Sequence, residues 1–152
     1  MPINIYDSNF YTKKINKSIF NSRILKSMKY LKINNKSLDI SFISQYMMKK
    51  INYKYRKINK STDVLSFFYD YSDSVLMGEI FISIKDAEKN CNKNNNTLLD
   101  ECSILTIHGI LHLLGYDHQN ERDAMKMENK EESILKVIRS KISLENNDKR
   151  NF

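Results

Sequence analysis

The sequence predicts one α+β domain, a small mixed β-sheet packed with several helices, and three observations carry that prediction. Segments of period-two alternation and segments of helical periodicity interleave along the chain instead of falling into separate blocks. The 152 residues suit a single domain and can bury a real core. Only three glycines and one proline occur, and neither a linker nor an internal repeat is visible. The expected domain covers residues 1–142, and residues 143–152 form a polar tail expected to fray.

Ile3-Asn4-Ile5-Tyr6 alternates apolar and polar and reads as a first strand. From about 13 to 32 the spacing becomes helical, with Phe20, Ile24, Met28 and Leu31 on one face and lysines crowding the others. Asn34-Asn35-Lys36 breaks this helix, and Leu38, Ile40 and Phe42 mark a second strand. A short helix over 44–54 opens at Ser44, whose hydroxyl suits an N-cap. A turn over 59–63 precedes the apolar run 64–68, and polar residues 70–74 connect it to a strand over 76–83 rich in β-formers. A helix over 84–93 and an Asn-rich loop follow. A long helix then starts near Thr97, carries Asp100 and Glu101 in its first turns, and ends at Gly115, where glycine tolerates positive φ. The last helix is expected over about 120–142. Met47, Met48, Met125 and Met127 read as core filler.

Composition excludes several classes. No apolar run approaches the roughly 20 residues that cross a bilayer, and the N-terminus lacks the basic start and apolar stretch of a signal peptide. Cys91 and Cys102 are too few for a disulfide scaffold and read as buried thiols without a disulfide partner. A cytoplasmic protein is the expectation. The net charge of +7 is unevenly placed. Residues 1–62 hold 14 Lys/Arg against 2 Asp/Glu, whereas residues 63–152 hold 11 against 16. A basic half beside an acidic half suggests a polyanion-binding surface next to a separate chemical site.

All three histidines fall within eleven residues, His108-Gly109-Ile110-Leu111-His112-Leu113-Leu114-Gly115-Tyr116-Asp117-His118. Helical positions four apart share a face, so His108 and His112 can grip one ion from adjacent turns. A sharp exit at Gly115 would swing His118 round as a third ligand. Three neutral imidazoles with no fourth ligand nearby describe a catalytic zinc site with an open position, one zinc ion per chain. Such a site makes hydroxide available near neutral pH. The plainer alternative, three histidines capping or packing, does not explain the spacing. That spacing matches the metzincin pattern H-E-x-x-H-x-x-G-x-x-H in every position but one. Gly109 stands where those proteases carry their general base, so a peptidase of that mechanism lacks its base.

Residues 108–118 match H-G-x-L-H-L-x-G-[YH]-D-H throughout, and the sequence resembles the YbeY family of bacterial zinc-dependent endoribonucleases, the ribosomal RNA maturation factors. Asn52, Tyr55 and Arg56 followed by Thr62-Asp63-Val64-Leu65-Ser66-Phe67 correspond to a second family motif, and Gly78-Glu79-Ile80-Phe81-Ile82-Ser83 to a third. Ser61 and Phe68 stand where the family usually has proline. The resemblance spans about residues 1–140. It implies zinc on His108, His112 and His118, a functional arginine at Arg56, and a role in 3′-end maturation of small-subunit ribosomal RNA and in ribosome quality control. The partners it implies are the ribosomal RNA precursor and the small ribosomal subunit.

A guanidinium can hold two non-bridging phosphate oxygens as charge gathers in a transition state, which suits Arg56. Arg56 sits among Lys49, Lys50, Lys54, Lys57 and Lys60 with no acid between, a candidate RNA-binding stretch. Tyr53 and Tyr55 are open to two readings, stacking on unpaired bases or lying at a solvated helix end with Tyr55 in the core. Asp63 and Glu79 are also open, either orienting the attacking water or serving as a turn cap and a partner for a surface lysine. Asp117 could orient a ligand histidine or cap the last helix. The mechanism expected is single-metal hydrolysis of single-stranded RNA, with hydroxide or a ribose 2′-hydroxyl attacking; only the latter leaves a cyclic phosphate. The rivals are a non-catalytic, zinc-stabilised RNA-binding assembly factor and, behind it, a metallopeptidase.

Overall fold

A computed structural model of the chain describes residues 3–8, 11–69 and 75–150, by backbone alone beyond residue 138. Its strands are β1 (Ile3–Tyr6), β2 (Ser37–Ile43), β3 (Val64–Phe68) and β4 (Leu76–Ser83). Its α-helices are α1 (Lys17–Tyr30), α2 (Gln45–Arg56), α3 (Ile84–Asn94), α4 (Leu98–Leu113) and α5 (Glu121–Arg150). The sheet runs β1-β2-β4-β3, with β1, β2 and β4 parallel and β3 antiparallel to β4. The expected α+β domain with a mixed sheet is what the chain forms.

Alternation sorts the strand residues onto two faces. Leu38, Ile40, Ile80 and Ile82 are fully buried, and Phe42 nearly so, on the face that meets α1 and α4. Phe20, Ile24 and Met28 of α1 are likewise at 0% exposure, so the predicted apolar stripe is the one that docks. Each such side chain contributes about 1.5–3 kcal/mol by leaving water. The intervening residues Glu79 and Phe81 point to the opposite face, toward α2.

Local chemistry sets the element ends. Ser44 accepts from the Met47 N–H at 3.2 Å, the N-cap the sequence suggested, and Thr97 caps the long helix by accepting from the Asp100 N–H at 3.1 Å. The first helix begins later than expected because Asn16 caps it, accepting from the Ile19 N–H at 3.1 Å; a separate 3-10 turn occupies Tyr11–Lys14. The last helix continues through Arg150, eight residues past its expected end at 142. No glycine or proline interrupts residues 121–150 to stop it. The polar connection at 70–74 and tail residues 151–152 lie outside the described residues.

α4 is the central helix. One side packs on the sheet and α1, while Ile107 and Leu111 on another side meet Met127, Ile134 and Ile138 of α5. A helix apolar nearly all round is one enclosed by other elements. Cys91 and Cys102 are buried free thiols, and burial, with the Glu101 carboxylate behind it, pushes the Cys102 thiol up to about 12. Met48 and Met127 fill the core as expected, whereas Met47 and Met125 are 45% and 61% exposed. Both sit on outward faces of their helices, so the core reading of those two is corrected. Among the described residues no helix is long and apolar enough to cross a membrane.

Candidate metal centre

The C-terminal end of α4 is built to reverse the chain. Gly115 adopts φ 95°, the Tyr116 N–H donates to the Leu111 carbonyl at 3.0 Å, and the Gly115 N–H donates to the His112 carbonyl at 3.0 Å. These paired bonds form a Schellman turn, which needs a left-handed residue at this position. The reversal carries His118 back over the helix end. His108, His112 and His118 then stand together, with one ring nitrogen from each lying within 4.8 Å of the others.

The donor set suits a metal ion. His108 Nε2 and His112 Nε2 are 3.1 Å apart. Two imidazoles on a tetrahedral ion with bonds near 2.05 Å would be about 3.3 Å apart, so this pair is already at ligand spacing. Burial lowers the pKa of His112, and the His108 and His118 rings lower it further. Neutral imidazole, the form that donates a lone pair, is thereby favoured. The three histidines could hold one ion and leave a coordination position open on the solvent side.

That side opens into a cavity of about 450 Å³ lined by Arg56, His112, Gly115, Tyr116, Asp117 and His118. Arg56 comes from the last turn of α2, remote in sequence from the histidines, and the fold brings the guanidinium to the same space. It is exposed and has no ion-pair partner among the described residues.

The other predicted site residues fall in three places. Lys49, Lys50, Lys54, Lys57 and Lys60 are exposed on α2 and the loop after it. Tyr53 and Tyr55 are 55% and 59% exposed, which removes the core reading of Tyr55; its ring packs against Phe67 at 5.0 Å. Asp63 is not brought to the histidines. Its carboxylate accepts from Asn90 Nδ2 at 2.9 Å and its carbonyl accepts from the Ser83 N–H at 3.0 Å, tying the entry of β3 to α3 and the end of β4.

Glu79 is also not brought to the histidines. It projects from the sheet face opposite α4, accepts from Tyr69 Oη at 2.7 Å and Ser41 Oγ at 3.2 Å, and lines a second cavity with Phe67, Phe81 and Lys54. The carboxylate raises the Tyr69 hydroxyl to about 12, since losing the phenol proton would forfeit the bond and add like charge. Among the described residues Glu79 pairs with Tyr69 and Ser41 and not with the surface lysine expected for it. Asp117 lines the metal-site cavity, but its Oδ1 accepts from the His118 N–H at 2.8 Å and lies 3.9 Å from His118 Nδ1, too far for a ring hydrogen bond. The last helix is capped instead by Asn120, which accepts from the Asp123 N–H at 2.8 Å.

Gly109 has a packing reason. A Cβ there would stand 2.8 Å from Ser66 Oγ and 2.9 Å from Ile80 Cδ1, because this side of α4 lies against β3 and β4. Position 109 therefore points into the sheet and not into the cavity. One residue near the histidines was not anticipated. Glu131 of α5 places Oε1 3.0 Å from His108 Nδ1.

The family profile described as Endoribonuclease YbeY matches residues 3–139. The chain belongs to the YbeY family of endoribonucleases. Among YbeY relatives, an Endoribonuclease YbeY of Buchnera aphidicola subsp. Schizaphis graminum is 38% identical over 127 residues, covering 82% of this chain and 80% of the relative. One of Phytoplasma mali is 37% identical over 117 residues, covering 77% and 78%. The solution structure of a Thermotoga maritima protein superposes with a TM-score of 0.66 at 25% identity, covering 94% of this chain and 93% of that one. Like the YbeY endoribonucleases it matches, the chain is a nuclease, a hydrolase of phosphodiester bonds.

Proposed function

We propose that this chain is a zinc-dependent, single-strand-specific endoribonuclease of the cytoplasm, acting on precursor ribosomal RNA at the small ribosomal subunit. The roles proposed are 3′-end maturation of that RNA and ribosome quality control. His108, His112 and His118 would hold one zinc ion per chain, which supplies Lewis acidity and acidifies water at neutral pH.

One observation carries this reading. Arg56 lines the same cavity as His112 and His118. A phosphate seated there would share one cavity with the guanidinium and with residues that would hold the metal, and Arg56 would stabilise the charge that develops on the non-bridging oxygens. Lys49, Lys50, Lys54, Lys57 and Lys60, with Tyr53 among them, continue from Arg56 along exposed α2 and its following loop and hold the flanking strand. Asp63 and Glu79 face elsewhere and are left out of the reaction; Asp117 borders the cavity beside His118.

The test is cleavage of a single-stranded oligoribonucleotide and of precursor RNA on small subunits, by the native protein and by Arg56→Ala. Arg56→Ala is expected to retain zinc and lose 10²-fold or more in kcat, on the order of the loss for one transition-state donor. If duplex and single strand are cut equally, the strand specificity is wrong. If native protein cuts neither substrate while holding zinc, the non-catalytic assembly-factor reading replaces this one.

A further inference from the structure

α5 presents Met127, Glu131, Ile134 and Ile138 on one stripe, spaced four, three and four residues apart. Three of these are apolar, at most 3% exposed, and packed against Ile107 and Leu111 of α4. The fourth is a carboxylic acid whose side chain is only 20% exposed. An acid in an apolar seam is costly unless it is hydrogen-bonded. Its partner is His108 Nδ1, at 3.0 Å.

An ionised carboxylate can only accept, so Nδ1 must carry the hydrogen. The lone pair of His108 is then on Nε2, the atom that faces His112 Nε2 across 3.1 Å. The other two histidines are held differently. His112 lies beside the Tyr116 main chain, and His118 has Asp117 no nearer than 3.9 Å. Among the described residues Glu131 is the carboxylate hydrogen-bonded to a ring of the cluster.

We propose that Glu131 is the positioning residue of the metal site. It fixes His108 as the Nδ1–H tautomer and holds the ring so that Nε2 points at the ion. The proposal rests on reading the three histidines as ligands. It also makes the docking of α5 part of the site, because the stripe that anchors the helix delivers the carboxylate.

The experiment compares native protein with Glu131→Gln and Glu131→Leu. Leucine completes the apolar stripe, so that variant is expected to fold with native or higher melting temperature. Long-range ¹⁵N–¹H spectra of the metal-free proteins read the His108 tautomer, and competition with a chelator reads zinc affinity. Native protein is expected to show His108 as Nδ1–H and Glu131→Leu a mixture of tautomers. Zinc affinity is expected to fall about 10- to 100-fold in Glu131→Leu, as for loss of an outer partner of a ligand histidine, with Glu131→Gln in between because its amide oxygen still accepts. A purely structural Glu131 would move the melting temperature and leave the tautomer alone. An Nε2–H tautomer in native protein, or unchanged zinc affinity in Glu131→Leu, overturns the proposal alone. Native protein that binds no zinc overturns the metal reading and this proposal with it.

Discussion

Gly109→Ala asks whether this position faces the sheet or the chemistry. A methyl group there would stand 2.8 Å from Ser66 Oγ, 2.9 Å from Ile80 Cδ1 and 3.2 Å from Ile80 Cγ1. Ile80 is fully buried, packed between the sheet and α4. Overpacking of this kind costs about 1–3 kcal/mol. Alanine's helix propensity offsets about 1 kcal/mol of that. A net loss of roughly 1 kcal/mol follows, a drop of about 2–4 °C in melting temperature for a chain of this size. Zinc stoichiometry should be unchanged, since position 109 is about 100° round the helix from His108. Gly109→Glu would force a carboxylate into the crowded seam against Ser66 and Ile80, so it should lose far more stability and gain no peptidase activity. Urea denaturation with zinc titration reads both quantities. A rise in stability for Gly109→Ala would mean that the space exists and the packing account of this glycine is wrong. Loss of zinc at native stability would mean that the position belongs to the site.

Gly78 is the tighter glycine, because a Cβ would approach the Phe67 carbonyl oxygen to 2.5 Å. Backbone of the paired strand cannot yield as a side chain can, so Gly78→Ala should cost more than Gly109→Ala in the same denaturation assay. Asp86 offers a pH test. Burial raises its carboxyl, but hydrogen bonds from Ser61, Ser83 and Gln45 outweigh that and hold it below the ordinary carboxylate range. A group depressed on folding stabilises above its unfolded pKa of about 3.9 and loses that contribution as pH falls further. Asp86→Asn should therefore flatten the fall in stability below about pH 4; an unchanged acid limb would contradict this. Cys102, fully buried with its thiol near 12, should resist alkylation in the folded protein and react only on unfolding.

Much of the fold is written locally. Ser44 and Thr97 cap their helices because a hydroxyl just before an apolar-periodic run can take an orphan N–H, and Gly115 ends α4 because it alone takes φ 95° there without strain. The histidine cluster was legible for the same reason, since four-residue helical spacing and one sharp turn fix it. Residues whose placement depends on distant packing were not. Glu131 lies 23 residues from His108, and an acid at one step of an apolar stripe looks like any surface glutamate until α5 is docked on α4. Glu79 could have been set apart by strand alternation, because its neighbours Gly78 and Ile80 both face α4. The exposure of Met47 and Met125 is a matter of which helix face docks, which methionine alone does not signal.

The proposed chemistry requires that the three histidines hold the metal on which RNA cleavage depends. The measurement that tests it most directly is zinc content and RNA cleavage on the same preparations of native protein and His112→Ala. One zinc per chain and cleavage are expected in native protein, with both lost in His112→Ala and the fold retained. Undiminished cleavage by zinc-free His112→Ala would contradict it.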